Sequence, residues 1–177
     1  IDGRRYLDGV SSLWCNVFGH NVPELNAAIL TQAQKVAHTT LLGLTHTAIL
    51  ELTDELLRIV PPGLERFFYA DSGAAAVEAA LRMTLEWWQR QPSPQGLKRT
   101  KYLSLLGSYH GDTLGAVNVG YIGDFHQALD PVVIQAHRTP PPHHFHFYEH
   151  LEPHAAEEAA LAALEGMFQS HGDALAA

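Results

Sequence analysis

The stretch FYADSGAAAVEAAL, residues 68–81, constrains the fold more than any other part of the chain. Phe67, Phe68 and Tyr69 read as a short buried strand, Asp71-Ser72-Gly73 as a turn, and from Ala74 the spacing becomes helical. Val77, Ala80, Leu81, Thr84, Leu85 and Trp88 then recur with the period of one apolar helix face. A strand that turns through Ser-Gly into a helix leaves backbone N–H groups free at the helix start. With the helix dipole, those groups make an anion site, commonly one for a phosphate. An ordinary helix with Ser72 as its N-cap accounts for the same residues, so the rest of the chain has to decide between the two readings.

Around this unit, residues 2–18 alternate polar and apolar about Asp2-Gly3 and Asp8-Gly9, which predicts a short antiparallel ribbon. Asn21 and Pro23 open a helix with Leu25, Ala28, Ile29, Gln32 and Val36 on its face. HTTLLGLTH (38–46) reads as a loop, with Thr45 or Thr47 capping a second helix that ends at Pro61-Pro62. Beyond a polar connection at 91–96, YLSLL (102–106) is a strand. Gly107, Gly111, Gly115 and Gly120 then punctuate a loop and a short helix. The chain turns Pro- and His-rich to about residue 153, and a final helix is expected over 155–169, with Glu157 and Glu158 near its start. Strands alternating with helices predict an α/β domain with a largely parallel sheet. Ligands bind such sheets at the carboxyl ends of the strands, where both Ser72-Gly73 and Tyr109-His110-Gly111 fall.

Eleven Lys and Arg against 19 Asp and Glu give a formal charge of −8 over 177 residues, and no basic run opposes it, which argues against a nucleic-acid surface. Neither a leader-like start nor an apolar segment of spanning length is legible, and a single Cys15 fits a reducing compartment. A cytoplasmic protein is therefore expected. Tyr109 is placed either to stack on a flat ring, with His110 beside it and Gly111 letting the backbone approach a ligand, or to pack on the next helix. Trp14 either walls a pocket or is a core indole. Cys15 reads as an inert small hydrophobe. In HHFHFYEH (143–150), His144 and His146 would share one strand face with His150 nearby, but no Cys or carboxylate stands at ligand spacing, so no metal site is assigned. Walker, GxGxxG and GxSxG motifs are absent.

SSLWCNVFGHNVPEL, HTTLLGLTH, FYADSGAAAVEAALRM and GSYHGDTLGA occur in this order and spacing, and together they resemble the class III aminotransferases, pyridoxal-phosphate enzymes of fold type I. The likeness is strong over about residues 1–125 and looser beyond. It implies that 1–46 form an N-terminal ribbon, helix and dimer-facing loop, and that 47–177 are the first part of the large cofactor-binding α/β domain. By resemblance, Ser72, Gly73 and Ala74 hold the cofactor phosphate, with Ala74 where a hydroxyl residue is usual. Tyr109 stacks on the pyridine ring, His110 and Gly111 complete that turn, and Trp14 and Tyr109 face the substrate. The HTTLLGLTH loop resembles one that reaches across a homodimer. The implied reaction is ping-pong transamination of 8-amino-7-oxononanoate to 7,8-diaminononanoate in biotin biosynthesis, with S-adenosylmethionine as the usual amino donor. The alternatives are another class III enzyme acting on ω-amino acids and a non-catalytic relic. The Schiff-base lysine of the family has no counterpart among Lys35, Lys98 and Lys101, so no catalytic residue is assigned, and the chain is expected to be the front portion of a longer one that is inactive alone.

Overall fold

In the computed structural model, which describes residues 2–134 and 136–177, the expected ribbon over 2–18 does not form. Its place is taken by irregular chain and a single turn, α1 (Ser11–Trp14), whose four residues all have left-handed φ between 49° and 70°. Such a backbone costs L-residues roughly 1–2 kcal/mol each. Asp8 offsets part of this by accepting hydrogen bonds from Val10 N (3.1 Å) and Ser12 N (2.7 Å), and it also meets His20 Nε2 at 2.8 Å. The Val10 amide contributes most to holding the Asp8 carboxyl below its ordinary pKa. A local side-chain acceptor has thus replaced a strand ladder.

Two helices follow. α2 (Pro23–Lys35) starts with Pro at its first position, where no N–H is needed, and with Glu24 in its first turn. Asn26 Nδ2 donates to Asn21 Oδ1 at 2.6 Å across the start. α3 (Thr47–Leu57) is capped by neither threonine: His46 is the N-cap, its Nδ1 accepting from Ile49 N at 3.3 Å. Any side-chain acceptor that reaches the third N–H will serve, and the imidazole reaches it here. The chain divides between Phe67 and Phe68 into two compact units.

In the second unit, α4 (Gly73–Gln89) is rich in Ala and straight-chain residues, with no Gly or Pro after its first position. The expected strand over Phe67–Tyr69 is not formed, and Phe68 is exposed. The sheet consists instead of β1 (Leu103–Leu105) and β2 (His137–Thr139), parallel, with Leu103 opposite His137 and Leu105 opposite Thr139. On the other side of β1, Lys101 bridges Leu175 in parallel, and Leu103 N donates to Ala177 O at 2.9 Å. The parallel α/β expectation holds for these elements. Between the strands lie α5 (Leu114–Val119) and α6 (Gly123–His126). α7 (His144–Phe147) and α8 (Pro153–His171) follow β2.

The core sits around Tyr102, Ala116, Val117, Val119, Ala156, Ala160 and Leu175. Tyr102 Oη donates to Leu81 O at 2.7 Å and ties β1 to α4. The far end of α4 is clamped by Arg99: its guanidinium lies 4.3 Å over the Trp88 ring and donates to Gly172 O and Leu175 O at 2.7 and 2.8 Å. The expected strand of histidines is the helical turn α7. Two residues apart on a helix, His144 and His146 point about 200° away from each other, not along one face. His143 stacks on His146 at 4.7 Å, and His144 Nε2 meets Leu151 O. Among the described residues, no group of His, Cys, Asp and Glu is placed to hold a metal ion, and no helix is long and apolar enough to cross a membrane.

Candidate functional site

Ser72 is extended, and its Oγ accepts from Ala75 N at 3.2 Å, while its carbonyl accepts from Ala76 N at 3.0 Å. Two donors at the start of α4 remain, Gly73 N–H and Ala74 N–H, and neither finds an acceptor among the described residues. The ordinary cap and the anion site are therefore not rivals. Ser72 satisfies one N–H, and the two before it stay available to a ligand with the dipole of a 17-residue helix behind them. A Cβ at Gly73 would meet nothing within 4 Å, so the space beside these donors is open.

The turn after β1 is packed directly against this helix start. Gly111 has φ +118°, and a Cβ on it would lie 2.4 Å from Ala74 Cβ and 2.9 Å from Ala74 Cα. Only glycine permits that approach. On its other side the turn is held by Gly120, where a Cβ would stand 2.5 Å from His110 N. Glu78, one turn along α4, accepts from Gly115 N at 2.8 Å and so pins the start of α5 to α4. Ser72, Gly73 and Ala74 are in this way brought together with Tyr109, His110 and Gly111. Trp14 belongs to the first unit, where it lies on the left-handed turn and is exposed.

Tyr109 has a fixed hydroxyl: its Oη donates to Asp112 Oδ2 at 2.7 Å. Asp112 Oδ1 lies 3.1 Å from His126 Nε2, and His126 Nδ1 accepts from Ile122 N at 2.9 Å. The Tyr109 and His126 rings are near parallel, 12° apart with centroids at 6.2 Å. The Tyr109 hydroxyl, and after it His126, hold the Asp112 carboxyl below its ordinary pKa; the same bond raises the Tyr109 phenol. Sequence reasoning quoted Asp112 inside its motif without assigning it, and missed His126. The aspartate was findable from its place three residues after Tyr109. The histidine was not, since 14 residues separate it from Asp112 and no spacing rule joins them.

A groove of about 750 Å³ runs along α4, lined by Tyr69, Asp71, Ala75, Glu78 and Tyr102 among others. It shares no residue with Ser72–Ala74 or Tyr109–Gly111; the free donors are at the helix start, not in the groove. Of the lysines, Lys35 ends α2 and is exposed, and Lys98 and Lys101 are exposed and precede β1, at the strand end opposite Tyr109.

A helix start with two available N–H groups beside an aromatic ring, on a parallel α/β sheet, has the geometry to take a phosphorylated flat ligand, and over residues 1–177 the chain matches the family Aminotransferase class-III. The chain belongs to the class III aminotransferases, whose cofactor is pyridoxal phosphate. It is 43% identical over 176 residues to the adenosylmethionine-8-amino-7-oxononanoate aminotransferase of Nitratidesulfovibrio vulgaris, covering 99% of this chain and 32% of that one. The solved enzyme of the same name from Methanocaldococcus jannaschii superposes with a TM-score of 0.77 at 33% identity, covering 97% of this chain and 35% of the other. An amine transaminase from an uncultivated Pseudomonas species, solved with PLP bound, superposes with a TM-score of 0.84 at 31% identity over 100% of this chain and 40% of its own. The chain thus spans about a third of the length of its relatives.

Proposed function

We propose that this chain supplies the phosphate cradle and the ring-stacking wall of a pyridoxal-phosphate aminotransferase that converts 8-amino-7-oxononanoate to 7,8-diaminononanoate in biotin biosynthesis, with S-adenosylmethionine as amino donor. The observation that carries the reading is the pair of free N–H groups on Gly73 and Ala74, pressed against a glycine turn that presents Tyr109. The names of the relatives support the substrate. When bound, the cofactor supplies the electron sink. Gly73 and Ala74 N–H bind its phosphate, Ser72 holds the helix start in shape, and Tyr109 stacks on its ring. His110 and Gly111 form the turn that brings Tyr109 up, and Trp14 and Tyr109 face the substrate. Residues 1–46 act as the N-terminal, dimer-facing part and 47–177 as the first part of the large domain. A homodimer in the cytoplasm completes the reading, with 38–46 reaching the second copy. The exposed apolar side chains of the first unit, Leu42 and Leu44 among them, support such a covered surface.

Transamination also needs an amine that bonds to the cofactor and returns as the base for the proton shift. Lys98 and Lys101 stand at the wrong end of β1 for that, and Lys35 is an exposed helix-end residue. The 177-residue chain alone therefore binds pyridoxal phosphate weakly and does not turn over. The test has two arms. Borohydride reduction and peptide mapping of this chain should find no stoichiometric adduct at one lysine. The full-length polypeptide that carries this sequence should aminate 8-amino-7-oxononanoate from S-adenosylmethionine. Activity only with ω-amino acids would favour the second reading, an amine transaminase, to which the fold likeness also points.

A further inference from the structure

We propose that His126 is a positioning residue for Tyr109, acting through Asp112, so that the orientation of the ring-stacking wall is set by a buried imidazole on a different helix. This rests on the assignment of Tyr109 as that wall. Tyr109 lies on the turn two residues after Gly107 and is 40% exposed. Asp112, which holds its hydroxyl, is largely exposed as well. A carboxylate in that position rotates freely unless its other oxygen is engaged. His126 engages it, and His126 is 2% exposed. The rings of Tyr109, Tyr121 and Phe125 lie within 5.9–6.4 Å of its ring.

The proton arrangement follows from the backbone. Ile122 N–H donates to His126 Nδ1 at 2.9 Å, so Nδ1 carries a lone pair and the proton of the neutral ring is on Nε2. Nε2–H then donates to Asp112 Oδ1, and Oδ2 is left to accept the phenol hydrogen. The order of donors is Ile122 N–H to His126, His126 to Asp112, Tyr109 to Asp112. One fixed backbone amide at the start of α6 thereby sets the tilt of an aromatic ring beside α4.

Two substitutions separate the halves of the histidine. His126→Asn keeps an acceptor where Nδ1 stands and so keeps the Ile122 bond, but is too short to reach Asp112. His126→Gln keeps an N–H at the Nε2 position and reaches Asp112. In the full-length polypeptide without added cofactor, NMR ring signals of Tyr109, assigned by their loss in Tyr109→Phe, should move in His126→Asn and stay near wild type in His126→Gln. Unmoved signals in folded His126→Asn overturn the proposal. If His126→Asn does not fold, Asp112→Ala, at an exposed position, takes its place, and unmoved Tyr109 signals there overturn it equally. With pyridoxal phosphate added, His126→Asn should weaken binding on the order of fivefold, about the worth of one hydrogen bond. The same change in a Tyr109→Phe background should have almost no effect, because the bond it serves is already gone. Equal losses in both backgrounds would mean that His126 merely supports the fold. Absence of cofactor binding in the wild type would refute the proposed function, while the ring signals would still decide the role of His126.

Discussion

Gly73 and Gly111 sit on the two sides of the proposed cradle, and the same substitution, to alanine, should act on them in opposite directions. At Gly111 the new methyl would lie 2.4 Å from Ala74 Cβ and 2.9 Å from Ala74 Cα, whereas carbon atoms rest at about 3.5–4.0 Å. The deficit is more than half an ångström against helix backbone, which does not swing aside as a side-chain tip would. Overpacking of this kind costs about 1–3 kcal/mol, and a side chain at φ +118° adds roughly 1–3 kcal/mol of backbone strain. Gly111→Ala should therefore destabilise the second unit by about 2–6 kcal/mol, or force the Tyr109 turn off α4. At Gly73 nothing lies within 4 Å and φ is not positive, so Gly73→Ala should stabilise the chain by about 0.5–1 kcal/mol through the lost freedom of the unfolded state. Yet Cβ atoms on a helix tilt toward its N-terminus, and the methyl would enter the space proposed for the phosphate. Pyridoxal phosphate affinity should fall roughly tenfold, the equivalent of about 1.4 kcal/mol of crowding. Chemical denaturation followed by circular dichroism gives the stabilities, and absorbance titration gives the affinities. A Gly73→Ala variant that is more stable and binds the cofactor as well as wild type would refute the cradle. A Gly111→Ala variant of unchanged stability would refute the close approach.

Three further outcomes are expected. The Asp112 carboxyl is held low chiefly by the Tyr109 hydroxyl, so its stabilising contribution is present above about pH 4 and lost as pH falls through the lowered value. Tyr109→Phe should move the Asp112 titration up toward the ordinary carboxylate range, read by carboxyl-carbon NMR, and an unmoved titration would refute the bond. Ala74→Ser should tighten pyridoxal phosphate binding a few-fold by returning a hydroxyl donor to the cradle, as absorbance titration can show; weaker or unchanged binding counts against Ala74 facing the phosphate. Arg99→Ala removes a ring contact with Trp88 and two carbonyl bonds at the end of α8, and should lower unfolding free energy by roughly 2–3 kcal/mol in denaturant titration, with a change below about 0.5 kcal/mol showing that the clamp is not formed.

The sequence by itself determined what depends on neighbours along the chain. Ser72 as a cap, the helix that follows it, Pro23 at a helix start and the strand within YLSLL are all set by spacing and capping over a few residues, and four motifs in order were enough to identify the family. Tertiary structure decided whatever needs a partner from elsewhere. Phe67–Tyr69 has the composition of a strand and lies outside the two-stranded sheet, because strand formation depends on tertiary context more than on composition. The ribbon over 2–18 gave way to a turn that Asp8 caps, and the histidines of 143–150 took helical rather than strand spacing, both for want of a ladder to hold them extended. The site divides in the same way. Gly73 and Tyr109 were visible from where strands end and helices begin. That Gly111 touches Ala74, that Glu78 caps α5 and that His126 governs Asp112 were not. The crossover between the parallel strands packs α5 against α4 and β1 and folds Asp112 onto His126 within itself, and such a crossover leaves no local pattern in the residues that meet across it.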